Sequence, residues 1–228
     1  MTATQETTEQ QQRMRGQFAA LGWFIQTFEK IVALLRSDCS AVIRGSQRGI
    51  TCDMTAPGVT LAHWRISDIV FSHEIMTARP LLELWRALTF ENTKAISKLS
   101  EDGCAVVLAI QNQIAKDFTF LIEQRNQIIH ATWRIGYPSH DADLEKIVVY
   151  KNKISRTGIT ERNDLPQSAE ELSALCGKCD EIWGLMARLS QFLTYHPDRI
   201  AEVFKSTDGR WSWINPDRAG DGTLPPSR

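Results

Sequence analysis

Apolar residues recur at helical spacing along most of the chain. Phe18, Leu21, Phe24, Ile25, Phe28, Ile31, Val32 and Leu35 step by three and four, so one stripe of a helix from about Arg15 to Arg36 is apolar, and the pattern allows continuation to Ile43. From Gly45 to Ala62 the period vanishes among three glycines and a proline, which reads as a long loop. A second helical region spans Ser67 to Leu99, with Ser67 and Asp68 suited to its N-cap. Pro80 interrupts it, predicting a kink or a break, and Leu81, Leu84, Trp85 and Leu88 form the apolar face beyond.

The longest pattern runs from Asp102 to Arg134. Ser100-Glu101-Asp102 precedes it, placing acidic groups where the helix dipole favours them, and Gly136-Tyr137-Pro138 ends it. Character then changes: Ile147 to Tyr150, Ile154 and Gly158 predict a small β-hairpin within 145–160 that turns at Lys151-Asn152. A last helix follows from Ser168 to Tyr195, bracketed by Pro166 and Pro197, with Leu172, Leu175, Ile182, Leu185, Met186, Leu189, Phe192 and Leu193 inward. Residues 1–14 read as a flexible lead-in, 15–200 as one helical domain, and 201–228 as a loose tail in which Trp211 and Trp213 could dock. The expected architecture is all-α, a bundle with a long central helix and one hairpin before the last helix.

Composition narrows this little. The chain of 228 residues is 43% hydrophobic and 23% charged with a net charge of −1, so a case for nucleic acid or membrane has to be local. Five cysteines at irregular spacing do not read as a secreted disulfide framework. The polar segment Met1 to Gln12 lacks the plan of a signal peptide, and no window reads as a bilayer span. The expectation is a cytoplasmic protein without a membrane role.

The central helix carries the candidate chemistry. Val107, Ile114, Leu121 and Ile128 fall in one row of the helical wheel, and Leu108, Ala115, Ile122 and Ile129 in an adjoining one. Between them lies the row Gln111, Phe118, Arg125 and Thr132, which sets a guanidinium in the middle of the packing stripe. Such a charge is costly there unless it is paired or faces a wet cleft. Asn126 and His130 lie one turn apart at the stripe's edge.

Arg125-Asn126-Gln127-Ile128-Ile129-His130 resembles the signature of the HEPN superfamily, small helical bundles that include many RNA-cleaving toxins and defence proteins. The wider stretch Leu121 to Gly136, with Trp133 after the histidine, resembles a group of bacterial HEPN-like proteins whose motif is followed by a short basic hairpin and a last helix. The likeness covers about residues 15–195 as a layout and the motif segment as sequence. It implies a metal-independent endoribonuclease without cofactor, acting as a homodimer, with an antitoxin or regulator protein as partner. By position, Arg125 and His130 would be catalytic and Asn126 supportive.

Those residue types suit that chemistry on their own terms. Metal-free RNA cleavage uses the 2′-hydroxyl as an internal nucleophile, which requires proton transfer and stabilisation of charge on phosphorus oxygens. Imidazole titrates near neutrality, and guanidinium offers a fixed fork of donors to phosphate. Five residues apart on a helix, the two point about 140° apart, so a second copy would supply the missing proton-transfer group. The competing reading is a non-catalytic helical binding or assembly module, in which Arg125 pairs with Glu83, Glu91 or Glu123 and His130 bonds a carbonyl near the helix end.

Other features carry less. Between Arg125 and Arg162 seven basic residues face four acidic ones, and Arg134, Lys151, Lys153 and Arg156 could hold RNA phosphates; lysines guarding an edge hairpin are the plainer explanation. Cys176 and Cys179 form a lone CxxC inside a helix, without further zinc ligands at suitable spacing or the strand that a thioredoxin-like site needs. His73-Glu74 lacks the second histidine of a zinc-protease helix. Trp23, Trp85 and Trp183 stand at core spacing and read as packing.

Overall fold

In a computed structural model of the chain, the residues described are 3–43, 77–129, 132–134, 148–150, 153–155, 158–160 and 168–214. They are mostly helical: α1 (Ala3–Ile43), α2 (Ala78–Ala95), α3 (Glu101–Ile129), α4 (Ala169–Tyr195) and the short α5 (Ile200–Val203), the last preceded by a 3-10 turn at Pro197–Arg199. Three two-stranded antiparallel ladders pair β1 (Thr132–Arg134) with β2 (Val148–Tyr150), β3 (Lys153–Ser155) with β4 (Gly158–Thr160), and β5 (Phe204–Thr207) with β6 (Arg210–Trp213). The expected Gly45–Ala62 loop, the Ser67 cap and His73-Glu74 lie outside the described residues.

The chain divides into two compact units, and α1, α3 and α4 contribute to both. The first comprises residues 1–31 and 117–181. Its core consists of Phe24, Phe28 and Ile31 from α1, Phe118, Leu121, Ile122 and Ile128 from α3, and Leu172, Leu175, Cys176 and Cys179 from α4. Phe28 stacks on Phe118 with ring centroids 5.2 Å apart. Ser168 caps α4, its Oγ accepting the Glu171 backbone N–H at 3.1 Å, with Glu170 and Glu171 in the first turn as the dipole favours.

The second unit comprises residues 32–116 and 182–228. Ser100 caps α3 by accepting the Gly103 N–H at 3.0 Å. Asp38 of α1 is nearly enclosed, and its Oδ2 accepts both the Trp85 indole N–H of α2 (3.2 Å) and the Ser190 hydroxyl of α4 (2.6 Å). Leu35, Leu81, Leu82, Met186 and Leu189 of the same helices are also buried.

Several elements depart from the sequence expectation. α1 begins at Ala3 rather than near Arg15. Pro80 lies in the first turn of α2, which starts at Ala78, so its missing N–H has no bond to lose; the expected helix before it lies outside the described residues. α3 stops at Ile129 instead of reaching Arg134, because Thr132 to Arg134 pair with Tyr150 to Val148 as strand. In the register of that ladder Trp133 stands opposite Val149. Val148–Tyr150 therefore pairs with the segment after the motif, and Lys153–Ser155 pairs with Gly158–Thr160 in a separate ladder; the expected turn residues Lys151-Asn152 lie outside the described residues.

The tail expected to be loose from 201 is ordered through Ile214. Asp208 and Gly209 adopt φ of 52° and 76°, the two left-handed residues of a type I′ hairpin turn between β5 and β6. The Gln113 side chain binds this hairpin twice, donating from Nε2 to the Trp211 carbonyl at 3.1 Å and accepting the Trp211 N–H at 2.7 Å. Trp213 lies under the Arg188 guanidinium, 4.4 Å away. Of the tryptophans expected in the core, Trp85 is buried, whereas Trp23 and Trp183 are half-exposed on the outer faces of their helices.

By length and composition, Met14–Ile43 and Glu101–Ile129 would suffice to cross a membrane, contrary to the sequence expectation. Their apolar residues include Phe24, Phe28, Phe118 and Leu121, which are core residues here.

Candidate functional site

Arg125 belongs to the row of α3 that includes Gln111 and Phe118. Those two are buried, in keeping with a row that faces the packing. Arg125 lies in the first unit, where its guanidinium carbon sits 5.8 Å from the centroid of the Phe28 ring. Its Nη2 is 3.7 Å from Oε1 of Glu29, the residue after Phe28 on α1. The Arg125 side chain keeps 31% of its surface exposed and the Glu29 side chain 44%. At 3.7 Å the pair is a charge contact, longer than a hydrogen bond. Arg125 Nε is buried and has no hydrogen-bond partner among the described residues.

Among the described residues the guanidinium is thus tethered by an aromatic face and one carboxylate, with Nε left without a hydrogen bond. An ion pair this exposed contributes about 0–1 kcal/mol, so an anionic ligand can displace it. Asn126, the next residue, is exposed. Ile128 is buried and Ile129 is 42% exposed, so the last turn of α3 presents polar groups on one side and a free apolar residue on the other. His130, Lys151 and Arg156 lie outside the described residues. Arg134 and Lys153 fall in β1 and β3, of which the backbone alone is described.

Glu83, Glu91 and Glu123 are the partners for Arg125 that the helical spacing suggests. The structure pairs Glu83 with Arg86 at 3.3 Å and Glu91 with Lys94 at 3.1 Å, each within α2, and gives Arg125 to Glu29. A signal for Glu29 was present: between Arg15 and Arg36 the only charged residues are Glu29 and Lys30. A carboxylate at the edge of so apolar a stripe needs a cation nearby. Lys30 lies over the Trp23 ring at 5.3 Å.

Cys176 and Cys179 are buried, unoxidised thiols on the inner face of α4. Burial pushes both upward, Cys179 to about 12, with the Thr27 hydroxyl opposing. A thiol held protonated is a poor nucleophile and a poor metal ligand, so this CxxC belongs to the core. In the second unit Asp38 is likewise held above the usual carboxylate range by burial, opposed by the hydrogen bonds from Ser190 and Trp85. Beside it burial and the Asp38 charge push Cys39 to about 12. The Asp38 cluster went unnoticed in the sequence, since its members are 47 and 152 positions apart.

Comparison with protein-family models, with curated proteins and with solved structures finds no match.

Proposed function

We propose that this protein is a metal-independent endoribonuclease of HEPN type, acting as a dimer in a toxin or defence setting. The supporting observation is the state of Arg125: a guanidinium on the packing row of α3, partly in water, steadied by Phe28 and by a carboxylate too distant to use up its donors. Arg125 binds the scissile phosphate and stabilises charge on its non-bridging oxygens in the transition state. His130 takes the proton from the ribose 2′-hydroxyl as the new O–P bond forms. The His130 of a second copy protonates the departing 5′-oxygen as the old O–P bond breaks, leaving a 2′,3′-cyclic phosphate. Asn126 orients the phosphate, and Arg134, Lys151, Lys153 and Arg156 add charge along the strand of RNA.

The test is cleavage of mixed RNA in EDTA by the parent, Arg125→Ala and His130→Ala proteins, with molecular mass measured in solution. The parent should cut and be dimeric, and each variant should lose about 100-fold or more in rate. Undiminished cleavage by His130→Ala rejects the assignment.

The Glu29–Arg125 pair also favours a second reading, a non-catalytic helical module in which the two charges fix how helices pack. In that case the parent protein cuts no RNA. Arg125→Ala then lowers thermal stability without changing any activity.

A further inference from the structure

We infer that Glu29 is a displaceable counter-ion, holding in the unliganded protein the edge of the Arg125 guanidinium that a polynucleotide phosphate oxygen takes on binding. This rests on the reading of Arg125 as a phosphate-binding residue and assigns Glu29 the control of its occupancy.

Three observations carry it. Glu29 Oε1 stands 3.7 Å from Arg125 Nη2, near enough to neutralise the charge and too far to satisfy its donors. Both side chains are partly exposed, so an anion can reach the pair without unpacking a helix. The guanidinium also has a support that does not depend on Glu29, the Phe28 ring at 5.8 Å, so Arg125 stays in place when the carboxylate swings away. Glu29 and a phosphate cannot share the guanidinium without mutual repulsion. The carboxylate therefore weakens anion binding while sparing the empty site an uncompensated cation.

The experiment is a double-mutant cycle read by fluorescence anisotropy on a 2′-O-methyl RNA decamer, which binds but cannot be cut. The parent, Glu29→Gln, Arg125→Gln and the double variant are compared at low salt, with circular dichroism to verify folding. Glu29→Gln should tighten binding about two- to fivefold, the scale of a partly exposed ion pair. Arg125→Gln should weaken it by about tenfold. In the Arg125→Gln background, Glu29→Gln should change nothing.

Equal tightening in both backgrounds would reveal a general charge effect and overturn the inference, as would weaker binding by Glu29→Gln. A parent that does not bind the decamer overturns it too. If a glutamine variant does not fold, Glu29→Ala and Arg125→Met run the same cycle with the same expected outcomes. RNA cleavage without this coupling rejects the Glu29 role alone. Coupling without cleavage rejects the nuclease alone.

Discussion

Ser190 donates its hydroxyl to Asp38 at 2.6 Å across 152 positions of sequence, and the same carboxylate oxygen accepts the Trp85 indole N–H. Helices α1, α2 and α4 are thereby joined at one carboxylate oxygen. A buried acceptor with two donors stabilises only while both bonds are kept, because stranding either donor costs about 1–3 kcal/mol.

Asp38→Ala should therefore destabilise the protein by about 2–4 kcal/mol, whereas Asp38→Asn keeps an oxygen for both donors and discards the desolvated charge. Burial holds the Asp38 carboxyl above its ordinary value of 3.8. Between that value and the raised one, the folded chain keeps a proton that the unfolded chain has released, so the Asp38 contribution to stability falls as pH rises through the window. Urea unfolding at pH 4 and pH 8 checks this. Asp38→Asn should match the parent at pH 4 and gain on it at pH 8.

The Gln113 side chain pairs with the Trp211 backbone as a neighbouring strand would. Gln113→Ala should cost about 1–2 kcal/mol and speed hydrogen exchange of the amides in β5 and β6, while the α3 core amides stay protected. Gly209→Val should act in the same direction, since a branched side chain resists the φ of 76° at that position. Exchange rates measured by NMR decide both. Unchanged hairpin amides in Gln113→Ala would mean that the clamp does not hold the hairpin.

Cys39, Cys176 and Cys179 are buried with their thiols pushed upward. Iodoacetamide at pH 7.5 should leave all three unmodified in the folded protein and label them in guanidinium chloride. Peptide mass mapping before and after unfolding reads the result. Rapid labelling of Cys179 in the folded state would contradict its place in the core.

Trp85 reaches Asp38 through its indole N–H. Trp85→Phe keeps most of the ring packing and deletes that donor, so a loss of about 1–2 kcal/mol is expected. In an Asp38→Ala background the loss should shrink, because the acceptor is already gone. Thermal denaturation of the four proteins measures the coupling.

The inward residues of α4 from Leu172 to Leu193 and those of α1 from Phe24 to Leu35 are plain in the helical period, because burial of an amphipathic stripe is a local rule. The caps at Ser100 and Ser168 are equally local. The Asp208-Gly209 pair is a local signal too, a strong two-residue hairpin turn inside a tail whose composition suggests looseness.

Periodicity alone does not say which helix faces which. The sequence by itself determined four main helices, most of their inward faces, and a guanidinium set among the packing rows of α3. Only the tertiary structure decided that Glu29 answers Arg125, that Asp38 collects Trp85 and Ser190, and that β2 pairs with the strand following the motif. Each of those choices is a contact between residues far apart in the chain, where hydrophobic spacing is the same for every candidate. The partner is selected by the packing of whole elements, and local propensity carries no record of it.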